Sequence, residues 1–91
     1  MFIVIAYDIP DDRRRTRLYK TLLRFGEPVQ YSVFECHLTD AQFEKLRQAV
    51  ARVINAAEDH VRYYELCQSC GRRIRTVGQV LVTSAPSLYV V

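Results

Sequence analysis

Tryptophan is absent from this 91-residue chain, and glycine and proline occur only three times each. So few breakers leave no room for a flexible linker or a low-complexity tract, and a single domain over residues 1–91 is expected. There is also no apolar run of the roughly 18 residues that a membrane-spanning helix needs. The N-terminus carries neither a basic leader region nor a small-residue cleavage site, so a cytoplasmic protein without membrane contact is expected. The three cysteines, Cys36, Cys67 and Cys70, are odd in number with one close pair, which excludes a disulfide framework and favours reduced thiols.

Acidic residues run out early. None follows Glu65, whereas Arg72, Arg73 and Arg75 lie beyond it. Near the other end Arg13, Arg14, Arg15, Arg17, Lys20 and Arg24 face only Asp11 and Asp12. The net charge of +3 is mild, but this clustering favours a polyanionic partner, RNA or duplex DNA. The hydrophobic share of 49% suffices for a core. A chain this short still buries a modest fraction of its surface, so a second copy of the chain is a natural source of further burial.

Phe2 to Ile9 reads as a strand with Phe2, Val4, Ala6 and Asp8 on one face and Ile3, Ile5, Tyr7 and Ile9 on the other. A helix is predicted over 11–25, carrying Leu18, Tyr19, Leu22, Leu23 and Phe25 and stopping at Gly26. Val29 to Leu38 reads as one further strand, buried on both sides. Thr39-Asp40-Ala41-Gln42 fits a capping box, followed by a helical stripe of Phe43, Leu46, Val50, Val53, Ile54 and Ala57. Val61 to Cys67 is predicted as a strand, then a turn at Ser69-Cys70-Gly71, with shorter strands over 74–77, 80–82 and 88–91. The plan expected is α+β, a ferredoxin-like βαββαβ with an extra C-terminal strand and two helices on one face of an antiparallel sheet. Two helices cover one face only, so the Asp8 face needs the tail or a second subunit, and a two-fold dimer would bring two Asp8 rows together.

Asp8 is a carboxylate that ends an apolar row, and burying it unaided would cost several kcal/mol. It can accept N–H bonds at the start of the first helix, or it can ligate a metal. Mg²⁺ is commonly held by one or two protein carboxylates with waters and phosphate oxygens, which two copies of Asp8 could supply. Asp11 and Asp12 are ordinary first-turn acids and lesser candidates. Arg13, Arg14, Arg15 and Arg17 fan around the helix, either as a solvated face or as phosphate contacts. Cys67 and Cys70 form a lone CxxC, for which Cys36, His37 and His60 are the remaining soft donors to zinc; two ordinary thiols in a turn is the working reading. His37 and His60 read as surface residues, Glu35 and Glu65 as edge charges that discourage aggregation, and the tyrosines as packing residues with wet hydroxyls.

In order, the chain presents an apolar strand ending Tyr7-Asp8-Ile9, then Asp11-Asp12, an Arg-rich helix with Arg15 and Arg17, Gly26, and Gln30-Tyr31-Ser32-Val33-Phe34-Glu35. Over essentially its whole length this set resembles the small CRISPR-associated spacer-acquisition proteins, the second of the two near-universal acquisition proteins. The resemblance implies a ferredoxin-like homodimer whose last strand adds to the partner's sheet, with Asp8 at the interface. It implies an Mg²⁺- or Mn²⁺-dependent endonuclease, cutting RNA or double-stranded DNA, with Asp8 as both metal ligand and catalytic residue. It also implies partnership with the acquisition integrase, so the alternative function is a non-catalytic dimeric DNA-binding scaffold that bridges the integrase. Arg15 and Arg17 match family arginines near the site, and Phe34 matches an aromatic. Pro28 stands where some relatives carry an arginine.

Overall fold

The structure, a computed structural model, describes residues 1–67, 69, 75, 77 and 78. Its elements follow the order β1 (Phe2–Asp8), α1 (Asp12–Leu22), β2 (Glu27–Gln30), β3 (Val33–His37), α2 (Asp40–Val53) and β4 (His60–Leu66). The strands form one antiparallel sheet in the order β2-β3-β1-β4. This is the ferredoxin-like βαββαβ arrangement, and it places β1 between two partners. Both helices lie against the side of the sheet that carries Ile3, Ile5, Phe34 and Cys36, all fully buried, where Leu18, Leu22, Leu46 and Val50 meet them. Burial of each such side chain contributes about 1.5–3 kcal/mol.

On the other side of β1, Val4 and Ala6 are half-buried and Asp8 is exposed. The alternation along β1 is therefore as the sequence suggests, Phe2 included: it lies on this second face, buried, with its ring 4.8 Å from that of His37. Along β4 the same alternation places Tyr63 on the helix side, edge-on to Phe43, and leaves His60, Arg62 and Tyr64 exposed on the Asp8 side.

The predicted single strand over 29–38 is in fact a hairpin. Tyr31 and Ser32 break it, Ser32 lies in the left-handed region at φ 61°, and its carbonyl accepts from Tyr7 N at 3.0 Å. The turn holds no glycine or asparagine, the usual signal for such a reversal, so the run of β-formers reads straight through it. Tyr31 consequently stands 93% exposed at the tip, and β2 is an edge strand that tolerates Pro28. Glu35 does not fit the role of an edge charge, because β3 is internal and Glu35 is buried.

The capping box forms as expected: Thr39 Oγ1 accepts from Gln42 N, and Gln42 Oε1 accepts from Thr39 N. Both helices end earlier than their apolar stripes suggest. The second stops at Val53, where Asn55 accepts backbone N–H bonds from Glu58 and Asp59 and turns the chain toward β4, leaving Ala57 exposed. Of the expected strand over 74–77 only Arg75 and Val77 are described, and those over 80–82 and 88–91 lie outside the described residues.

Gly26 closes the turn after α1 by approaching β3 directly. A Cβ there would press into Cys36 Sγ and the Glu35 carbonyl, and backbone cannot yield as a flexible side chain can. Gly26→Ala is expected to lower the unfolding free energy by roughly 1–3 kcal/mol, read as an earlier urea midpoint at an unchanged slope.

Candidate functional site

Asp8 ends β1 on the face away from the helices, and the helix-capping role is not its own. Asp11 is the N-cap of α1, in an extended conformation, with its carboxylate accepting from Arg14 N at 2.9 Å. Asp12 pairs instead with Arg15. The Asp8 side chain makes no hydrogen bond or ion pair among the described residues and faces solvent. The carboxylate is thus left available, at the end of a strand whose backbone is held on both sides.

The register brings unexpected neighbours to it. Asp8 pairs with His60, Ala6 with Arg62 and Val4 with Tyr64, so one exposed row of β4 lies beside the Asp8 face. Arg62 Nη1 lies 3.5 Å from the Tyr64 hydroxyl. His60 and Arg62 carry no sequence signal linking them to Asp8, since only the pairing of the first strand with the last described one joins them.

The arginines of α1 divide into two groups. Arg14 is committed to structure: Nε and Nη2 reach Asp59 at 2.8 and 3.1 Å, and Nη2 reaches Glu58 at 2.8 Å. The Asp59 side chain is fully buried and also accepts from Asn55 N at 2.8 Å. The hydrogen bond from Arg14 holds the Asp59 carboxyl below its ordinary range, and Asp59 in turn raises the guanidinium further above its own. Arg15 is half-buried and donates to the Ile9 carbonyl at 2.9 Å, which holds it close to the Asp8 end of β1. Arg13, Arg17, Lys20 and Arg24 are exposed, with the Arg24 guanidinium 5.5 Å from the Phe25 ring centre. Arg75 is exposed, while Arg72 and Arg73 lie outside the described residues.

On the helix side of the same end, Tyr7, Arg15, Tyr19, Pro28, Gln30 and Tyr31 line a cleft of about 630 Å³. Burial pushes the Tyr7 phenol up, Tyr19 adds to this, and Arg15 opposes it. Phe34, the matching aromatic, is a core residue, fully buried and edge-on to Tyr19 at 5.4 Å.

The soft donors do not converge. Cys36 faces the helices, and burial, assisted by the neighbouring Glu35, pushes its thiol up to about 12, so it is inert as a thiolate at neutral pH. His37 and His60 lie on the opposite face, Cys67 is exposed next to Ser69, and Cys70 lies outside the described residues. Among the described residues, no group of three or more His, Cys, Asp or Glu is placed to hold a metal ion.

Comparison with known proteins gives the geometry its family. The family model described as CRISPR associated protein Cas2 matches residues 1–74. A curated relative from Synechocystis, named CRISPR-associated endoribonuclease Cas2 3, is 39% identical over the full length of both chains. CRISPR-associated endoribonuclease Cas2 from Thermus thermophilus is 50% identical over 86% of this chain and 83% of its own. The solved structure of Streptococcus pyogenes Cas2 superposes with a TM-score of 0.77 at 30% identity, covering 86% of this chain and all of that one. With matches that run from the Asp8 strand through both helices to β4, the chain belongs to the CRISPR-associated Cas2 family.

Proposed function

We propose that the chain is a metal-dependent endonuclease of CRISPR spacer acquisition, acting as a homodimer with Asp8 from each protomer at one shared centre. The observation that carries this reading is the uncommitted carboxylate of Asp8, exposed on the face opposite the helices while Asp11 does the capping. Val4 and Ala6, half-buried on the same face, give a two-fold contact apolar surface to cover. One carboxylate per chain is a thin ligand set. Two related by a two-fold axis match the one or two carboxylates with which Mg²⁺ is usually held, and Mn²⁺ accepts the same oxygen donors.

Such an ion supplies neutralisation of phosphate charge and acidification of a bound water. The chain's own residues do the rest. Asp8 fixes the centre at the end of β1 where β4 pairs with it, exposed Arg62 stands on the same face of β4, and Arg15 is held at the same end of β1, on the helix side, through the Ile9 carbonyl. Arginine suits the task of holding a phosphodiester, because its planar fork meets two phosphate oxygens at once. Purified chain is expected to cut RNA or duplex DNA with Mg²⁺ or Mn²⁺ present and to stop when a chelator removes the ion. Cutting that persists in chelator overturns metal dependence.

A second reading is favoured by Arg13, Arg17 and Lys20, exposed on α1, and by Arg24, exposed just beyond its C-cap. In it the dimer is a scaffold that grips duplex DNA through phosphate contacts and bridges the acquisition integrase, without cutting anything itself. The two readings predict different fates for an Asp8 variant.

A further inference from the structure

We propose that His60 is the second protein donor beside Asp8, and that its imidazole tilts the centre toward Mn²⁺ and away from Mg²⁺. This rests on the reading of Asp8 as an ion ligand and adds a residue to it. The antiparallel register runs unbroken from Phe2↔Leu66 to Asp8↔His60, so the two residues are direct cross-strand neighbours. Side chains so paired leave the same face with their Cβ atoms about 4.5–5.5 Å apart, within reach of one ion. Both are exposed, and neither side chain has a hydrogen bond or ion pair among the described residues. His37 offers the contrast, for its ring lies against Phe2 at 4.8 Å.

The placement of His60 is also anchored. Its preceding residue is Asp59, whose buried carboxylate is held by Arg14 and by Asn55 N. The first residue of β4 therefore enters the sheet from a fixed point, and the imidazole starts from a fixed backbone beside the Asp8 carboxylate. Oxygen-only sets suit Mg²⁺, whereas imidazole adds affinity for transition ions. A centre with two Asp8 and two His60 side chains has four protein donors, where Asp8 alone gives two.

The test uses the full chain, with Mn²⁺ as probe and Mg²⁺ as competitor. Electron spin echo spectra of bound Mn²⁺ are expected to show nitrogen modulation in the native chain, absent from His60→Ala. His60→Ala is further expected to bind Mn²⁺ about tenfold more weakly, with little change for Mg²⁺. Because His60 is exposed, the variant keeps its fold, checked by an unchanged melting curve. Asp8→Asn separates the two levels. If it abolishes Mn²⁺ binding while His60→Ala changes neither affinity nor modulation, the His60 proposal is overturned and the Asp8 reading stands. A native spectrum without nitrogen modulation has the same meaning. If Asp8→Asn binds Mn²⁺ as the native chain does, or the native chain binds none, both readings are lost.

Discussion

Asp8→Asn is expected to abolish metal-dependent cleavage while leaving the protein folded and able to bind nucleic acid. The substitution keeps the shape of the side chain and removes its charge, so it tests ligation and little else. Removing one well-placed electrostatic group from a reaction centre costs at least about 100-fold in rate, and a lost ligand to the ion that activates water costs no less. Stability should hardly respond. The Asp8 side chain is exposed and has no hydrogen bond or ion pair among the described residues, so the melting temperature is expected to move by no more than about 2 °C. Cleavage measured on RNA and duplex DNA across an Mg²⁺ or Mn²⁺ titration checks the first expectation. Spacer integration, reconstituted with the acquisition integrase, checks the second reading. A variant that no longer cuts but still supports integration assigns both roles, catalytic and scaffolding, to one dimer. Cleavage that survives removes Asp8 from the mechanism.

Asp59→Ala is expected to have the largest effect on stability. The Asp59 side chain is fully buried and accepts from Arg14 Nε, Arg14 Nη2 and Asn55 N, so truncation strands a guanidinium and a backbone donor at one stroke. Breaking a buried, hydrogen-bonded charge pair is among the costlier single changes, and a fall in melting temperature on the order of 10 °C is expected. Glu58, which also meets Arg14, remains as a partial substitute. The pH dependence follows from the same contact. Arg14 lowers the Asp59 carboxyl from its ordinary value of 3.8, so folding favours the ionised form. That contribution is fully present above the unfolded value and is lost as pH falls through the lower folded one. The gap in melting temperature between the native chain and Asp59→Asn should accordingly stay level from about pH 8 to about pH 5 and narrow below about pH 4. A gap that stays constant into acid would mean that the carboxylate charge is not what the clamp uses.

What could be read from the sequence divides along physical lines. Short-range chemistry was legible: the alternation along β1, the Thr39–Gln42 capping box and the start of α1 are written in neighbouring residues. Elements set by distant contacts were not. Helix α2 stops at Val53 because Asn55 and Asp59 are drawn into the turn that Arg14 holds, and the apolar stripe alone runs on to Ala57. The hairpin at Tyr31 and Ser32 is hidden because serine takes a left-handed conformation where glycine or asparagine would have announced the turn. At the candidate site Asp8 stood out because a charge ended an apolar row. His60 did not, because an exposed histidine before a strand is ordinary until the register sets it opposite Asp8. Arg14 looked like its neighbours Arg13, Arg15 and Arg17, and only its buried partner separates it from them.

The position of β1 sets a schedule for synthesis. Of the described strands, the earliest in the chain is an inner one, and it finds its two partners at different times: Phe2 pairs with His37 from β3 and with Leu66 from β4. At the usual pace of translation, roughly two to six seconds separate the emergence of those two partners. During that interval β1 presents an unsatisfied backbone edge, the kind that templates association between nascent copies. The face that carries Asp8 and His60 is incomplete until β4 arrives. A chain cut short before His60 therefore loses part of that face together with the strand that pairs with the open edge of β1.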